Sequence, residues 1–251
     1  MSKRIAFITG ATAGIGRAIA LLLAKNNFDL IVCGRREERL KSLLEELDGS
    51  CKATSLSFDV RDNDAVKKAI ETLPDYFQKI DVLVNNAGNA HGLAPIHKGD
   101  ITDWDAMIDG NVKGLLYVSR AIIPGMVKRK RGHVINIGSI AGKEVYPNGN
   151  VYCASKHAVD AINNGMRLDL NGTGIKVTAI NPGLVETEFS KVRFKGDEEK
   201  AKKVYQGYDA LKGEDIADSV LYVATRPDHV NISDLTVFPT AQASSTIVHK
   251  E

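Results

Sequence analysis

Short β-branched apolar runs alternate along the chain with longer segments in which apolar residues recur at helical spacing. Residues 5–9, Ile-Ala-Phe-Ile-Thr, form a buried-strand run, and further runs stand at 30–33, 53–58, 82–84, 134–137, 176–180 and 235–238. Between them, 15–25 and 37–47 carry apolar residues on one face: Ile19, Leu22 and Leu23 in the first, Leu40, Leu43, Leu44 and Leu47 in the second. Helices are also predicted over 64–73, 104–126, 151–170, 198–210 and 214–224, and the second of these is interrupted by Gly110 and Gly114. Asp62 is a candidate N-cap for the 64–73 helix, with Pro74 past its end. Residues 181–196 read as a long loop. Strands that are apolar throughout, separated by helices, call for a parallel sheet covered on both faces. Right-handed crossovers then give a doubly wound Rossmann-type α/β fold of about seven strands. No repeat or linker divides the 251 residues, so one domain is expected over 1–251.

Composition narrows the function classes. The net charge of +2 is too small to gather nucleic acid or an anionic membrane. The basic run Lys128-Arg129-Lys130-Arg131 reads as a helix C-terminus, where cations are favoured. Cys33, Cys51 and Cys153 are widely spaced and odd in number, without metal-ligand spacing. They read as free thiols of a reducing compartment, and no metal is expected. With no apolar run of membrane-spanning length and no signal-like N-terminus, a cytoplasmic location without membrane or nucleic-acid partners is expected. His91, His97 and His133 read as surface or hydrogen-bonded structural residues.

The candidate chemistry begins at the turn after the first strand. Gly10, Gly14 and Gly16, with Thr12, Ala13 and Ile15 between them, open the first helix. Glycines let backbone approach a pyrophosphate, and the helix start offers free N–H groups and a positive dipole end. A glycine cluster alone is a weak signal; its place after the first strand of an α/β chain makes it a dinucleotide site. The second strand ends in Arg35-Arg36, with no carboxylate to accept from a ribose 2′-hydroxyl. Guanidiniums suit a 2′-phosphate, and one hydrogen bond to a charged group is worth about 1.5–3 kcal/mol, roughly tenfold or more in preference. NADP is therefore the expected cofactor.

Tyr152 and Lys156 lie four apart on one helix face. Bringing a phenol from about pKa 10 toward neutrality requires about 4 kcal/mol of preferential stabilisation of the phenolate. The Lys156 ammonium and an oxidised nicotinamide have the right sign, so a lowered phenol is expected, acting as general acid and base. Ser139 follows the fifth strand at the carboxyl edge of the sheet, where it would hold a substrate oxygen. Asn86, Ala87 and Gly88, after Asn85, suit backbone passing close to a ribose, and Asn111 marks a local kink and a proton path within its helix.

The Thr9–Gly16 loop, Asn85-Asn86-Ala87-Gly88, Asn111, Ser139, Tyr152-x-x-x-Lys156 and Pro182-Gly183 together resemble the short-chain dehydrogenase/reductase family along essentially the full chain. The resemblance implies that Tyr152 is the acid/base, that Lys156 tunes it and binds the nicotinamide ribose, and that Asn111 holds a relay water. It implies that Asp59 and Val60 flank the adenine and that the segment from Pro182 and Gly183 through Val185 to Thr187 wraps the nicotinamide and pyrophosphate. It also implies a homotetramer. Asn86-Ala87-Gly88 followed by Pro95-Ile96-His97-Lys98, Asp103-Trp104, Gly149-Asn150-Val151-Tyr152 and the stretch from Pro182 to Gly196 are most similar to the NADP-dependent 3-hydroxy acid (serine and L-allo-threonine) dehydrogenases. Such substrates carry a carboxylate, and Arg193 is the expected partner for it, with Ser139 and Tyr152 on the hydroxyl. A 3-oxoacyl or general carbonyl reductase, and a non-catalytic NADP-binding regulator, are the alternatives; the intact Ser139, Tyr152 and Lys156 speak against the second. Asn163-Asn164-Gly165 is a poor helix sequence that puts the family's subunit interface in question. Cys153 reads as a packing residue.

Overall fold

Each of the seven apolar runs becomes a strand, the central ones buried on both faces and the two edge strands only in part. A computed structural model describes residues 3–251. The strands are β1 (Arg4–Thr9), β2 (Phe28–Gly34), β3 (Ala53–Ser57), β4 (Val82–Asn85), β5 (Gly132–Ile137), β6 (Ile175–Pro182) and β7 (Asp234–Val237). They form one sheet in the order β3-β2-β1-β4-β5-β6-β7, every pairing parallel. Ala6 and Ile8 of β1 join a core with α1 (Gly14–Lys25), α2 (Glu37–Leu47) and α9 (Gly213–Ala224). Ile5 and Phe7, pointing the other way, meet α3 (Asn63–Glu71) and α5 (Gly114–Arg129). Burying one such side chain contributes about 1.5–3 kcal/mol, so a strand apolar on both faces is held from both layers. The chain order reverses between β1 and β4, and a crevice opens there at the carboxyl ends of the strands.

Helix ends follow local chemistry. Asp62 caps α3, its Oδ1 accepting from the backbone N–H of Asp64 and Ala65 at 3.0 Å each. The helix expected from Trp104 starts earlier, as α4 (Ile101–Ile108), because Asp100 Oδ1 accepts from Thr102 N at 2.9 Å. Gly110 and Gly114 do not break it. A single wide turn, Asp109–Lys113, joins α4 to α5, and Gly114 is small because Val60 packs against it. Lys130 caps α5 in the left-handed region, and Arg129 donates to the Ile80 carbonyl at 2.6 Å, which accounts for the basic run. The segment expected to be all loop contains α7 (Phe189–Arg193), and α8 (Glu198–Val204) is shorter than predicted. Along α6 (Asn150–Asp169), Asn163 is buried and accepts from Asn136 Nδ2 of β5 at 3.0 Å. Its low helix propensity is thus exchanged for a bond that ties α6 to the sheet. Among the described residues, no helix is long and apolar enough to cross a membrane.

His133, on β5, is fully enclosed. The Thr178 hydroxyl donates to the Ile232 carbonyl at 2.6 Å, so His133 Nε2, 2.7 Å away, must be the donor and Nδ1 is bare. Burial first, then the charges of Lys176 and Arg4, push the imidazole down to about 3. The folded state therefore refuses a proton that the unfolded chain accepts below about pH 6.5, and stability falls as pH drops through that window. At pH 5 this one residue should cost about 2 kcal/mol relative to neutrality. His133→Asn, which retains a donor for Thr178, should flatten the profile of urea midpoint against pH between about 6.5 and 5. Parallel profiles for the two proteins would remove His133 from the account.

Candidate active site

Three strand ends build the phosphate end of the crevice. Gly10 adopts φ +66°, and a Cβ there would lie 2.9 Å from Asn86 Nδ2 and 3.0 Å from Ala87 Cα, so only glycine fits beside the β4 end. The Thr9 hydroxyl accepts from the N–H of Asn86 at 3.0 Å and of Ala87 at 2.9 Å, stapling β1 to the segment after β4. Asn86 turns its amide back onto the carbonyls of Thr9 and Gly10, at 2.9 and 3.2 Å, and so braces the glycine loop. Thr12, Ala13, Gly14 and Ile15 line the crevice. Gly16 is placed beneath it, where a Cβ would run into the Gly10 carbonyl; its smallness lets the helix start pack on the loop. Ala13, the N-cap of α1, makes no side-chain capping bond, and the first turn holds no acid. The N–H groups of that turn are left for an anion, as a pyrophosphate requires.

The adenosine end is charged. Arg36 donates to Thr12 Oγ1 from Nε at 3.2 Å and from Nη2 at 2.8 Å, and to Glu188 from Nη1 at 3.0 Å. Arg35 stands 3.5 Å from Asp59, which Arg61 also holds at 2.6 Å. Asp59 and Val60 line the same cavity of about 480 Å³ as the glycine loop. Sequence reasoning missed Arg39, whose Nη1 donates to both Glu188 oxygens at 2.9 and 2.8 Å. Its signal was present: Arg36 and Arg39 are three apart at the start of a helix and face the same way.

At the other end, Ala87 and Gly88 form the wall beneath Asn111. Asn111 Oδ1 accepts from Asn89 N at 2.8 Å while its Nδ2 donates to Asn89 O at 2.9 Å and Ser155 Oγ at 3.0 Å. The kink expected at Asn111 is the wide turn Asp109–Lys113. Lys156 Nζ donates to the Ile137 carbonyl at 2.9 Å and, among the described residues, makes no salt bridge with a carboxylate. Burial lowers it to about 8. Pro182, Gly183, Val185 and Thr187 line the cavity opposite.

Tyr152 and Ser139 share the floor with Arg193. Ser139 Oγ accepts from Ala141 N at 3.1 Å, which holds the hydroxyl at the end of β5. The Tyr152 ring packs on Phe189 of α7, centroids 5.6 Å apart. The Arg193 guanidinium carbon lies 5.5 Å from the Tyr152 ring centroid, and Arg193 donates to Tyr146 Oη at 2.8 Å and to the Gly92 carbonyl at 3.4 Å. Tyr146 and Phe189 were not singled out from sequence, where isolated aromatics carry no site signal.

The chain's own groups raise the phenol; the lowering expected with oxidised nicotinamide would have to come from the cofactor's charge. Burial, and secondarily Tyr146, push Tyr152 well above the ordinary phenol range; the Ser139 hydroxyl and the Arg193 charge pull the other way without prevailing. The Lys156 ammonium faces the Ile137 carbonyl, and its charge is not among the larger influences on the phenol. These residues fit NADP: an uncapped helix start and glycine loop for the pyrophosphate, guanidiniums at the adenosine end, and a buried phenol and amine where the nicotinamide would end.

A family model for short chain dehydrogenases matches residues 4–198. The chain is 50% identical over 248 residues to the NADP-dependent 3-hydroxy acid dehydrogenase YdfG of Salmonella typhi, covering 98% of this chain and 99% of that protein. It is 47% identical over 249 residues to the YdfG protein of Escherichia coli strain K12, covering 98% of this chain and 100% of that protein. Among solved structures, the closed form of a serine dehydrogenase complexed with NADP+ superposes with a TM-score of 0.93 at 47% identity, over 98% of this chain and all of that one.

Proposed function

Because the chain belongs to the short-chain dehydrogenase family, we propose that it is an NADP-dependent oxidoreductase interconverting a small 3-hydroxy acid and its carbonyl form. The observation that carries the acid part of this reading is Arg193, a guanidinium held 5.5 Å from the Tyr152 ring by Tyr146 and Gly92. A substrate whose reacting oxygen meets Tyr152 and Ser139 would present a nearby carboxylate to that guanidinium. The relatives' names, a 3-hydroxy acid dehydrogenase and a serine dehydrogenase, point the same way.

Bound NADP would supply the hydride-carrying ring and, when oxidised, a positive charge beside the phenol. The chain's own residues do the rest. The loop from Gly10 to Ile15 and the α1 start bind the pyrophosphate, Arg35 and Arg36 the 2′-phosphate, and Asp59 and Val60 flank the adenine. Lys156 holds the nicotinamide ribose, and Ser139 orients the substrate oxygen. Tyr152, whose raised pKa keeps it protonated at neutral pH, donates its Oη proton to that oxygen in the reducing direction. Asn111, fixed through both amide atoms to Asn89, supports a route for returning a proton to this site. Phe189 and the walls of the cavity exclude water from the phenol. A homotetramer in the cytoplasm completes the reading, supported by the family's general habit.

The test is a panel of serine, L-allo-threonine, 3-hydroxypropionate, 3-hydroxybutyrate and simple alcohols, followed by NADPH absorbance. Expected is a kcat/KM at least about tenfold higher with NADP than with NAD, and a clear preference for the acids. Equal use of both cofactors, or a preference for neutral alcohols, would overturn the corresponding half of the proposal. Activity confined to acyl thioesters would favour a 3-oxoacyl reductase instead.

A further inference from the structure

We propose that Glu188 sets how tightly the cofactor's 2′-phosphate is held, by competing with it for the Arg36 guanidinium. The inference rests on the NADP reading above and adds a residue with opposite sign to the two arginines. Glu188 sits at the start of α7, the short helix that brings Phe189 against Tyr152. Its carboxylate lies between two cations: both oxygens take Arg39 Nη1, at 2.9 and 2.8 Å, and Oε2 takes Arg36 Nη1 at 3.0 Å. All three nitrogens of Arg36 are thereby engaged, two by Thr12 and one by Glu188.

A phosphate approaching Arg36 meets this arrangement in two ways. It must take or share the Nη1 donor that Glu188 occupies, and it must come to rest beside a like charge. The hydrogen bonds from Arg39, opposed by burial and assisted by Arg36, hold the Glu188 carboxyl below its usual range, so it stays ionised. Arg39 anchors it from outside the cavity wall, and so keeps the competitor in place. The same contacts are half exposed, which limits the effect through solvent and salt. Glu188 thus works as a resident stand-in for the phosphate. It keeps the guanidinium aimed, gives it up when cofactor arrives, and retakes it when cofactor leaves, so cofactor exchange is tied to the first residue of the segment over the phenol.

The alternative, an ion pair that merely fastens α7 to α2, predicts no discrimination between ligands with and without the 2′-phosphate. Titration calorimetry with adenosine 2′,5′-bisphosphate and with adenosine 5′-monophosphate separates the two, using the whole chain and its Glu188→Gln variant. The variant should bind the bisphosphate about three- to tenfold more tightly, leave the monophosphate unchanged, and lose most of the difference near ~1 M salt. Weaker or unchanged bisphosphate binding, or equal tightening of both ligands, would overturn the proposal. Wild-type protein that binds the two ligands equally would instead overturn the NADP reading. A thermal melt of the variant within a few degrees of wild type confirms that folding is not the cause, since the residue is exposed.

Discussion

Tyr152→Phe should lower kcat in both directions by about 10³-fold while leaving the fold and cofactor binding intact, since a positioned general acid contributes about 10²–10⁴-fold. The substitution removes one oxygen and keeps the ring, so the contacts with Phe189 and Arg193 survive. The lost oxygen is the one whose proton must reach the substrate. Its environment also sets how the rate in each direction depends on pH. Burial raises the phenol pKa, so below it the protonated, donating form prevails, and reduction should hold its rate from neutral into alkaline pH. Oxidation needs the deprotonated form, and its rate should climb with pH across the same range. Pre-steady-state and steady-state rates of wild type and variant, measured in both directions from about pH 6 to 10, test both claims. A loss under tenfold would mean that proton transfer runs through another group.

The sheet was legible because its signal is local. Central runs such as Ile5-Ala6-Phe7-Ile8 are apolar on both faces, as a doubly covered parallel sheet requires. The strand ends then place Gly10, Asn86 and Ser139 at one crevice, so most of the predicted site residues face one cavity. What escaped depends on distant partners. Glu188 meets Arg39 across 149 positions of sequence, and nothing near Glu188 marks it. Helix α7 is five residues long, started by the Thr187 hydroxyl accepting from Phe189 N at 3.2 Å and held by its packing on Tyr152. Too short to show a period, it reads as loop. Asn163 looked like a flaw in a helix because its compensation, Asn136, lies on a strand 27 residues away. The phenol's raised pKa was also invisible from spacing: four residues of separation bring Lys156 onto the same helix face, but its ammonium finds a backbone carbonyl first.

Arg193→Ala should raise KM for 3-hydroxy acids by about 10²-fold, because removing one partner of a desolvated, hydrogen-bonded charge pair costs about 2–5 kcal/mol. Its effect on neutral alcohols should be several-fold at most. The backbone carbonyl of Arg193 accepts from Gly92 N at 3.0 Å, which fixes the end of α7 to the loop after β4. The side chain is then steadied by Tyr146 and the Gly92 carbonyl, with its guanidinium beside the phenol ring. Neither steadying partner is an anion, so the positive charge is left for a ligand. In a 3-hydroxy acid only one carbon separates the carbinol from the carboxyl carbon, so an oxygen bound by Tyr152 and Ser139 leaves the carboxylate within a few ångströms of that charge. Arg193→Lys keeps the charge and loses the two-pronged donor, and should fall between wild type and the alanine variant. Loss of the Tyr146 contact alone would instead slow acids and neutral alcohols alike. Equal effects on both substrate classes would therefore assign Arg193 to the packing of α7 and remove the acid from the proposed substrate.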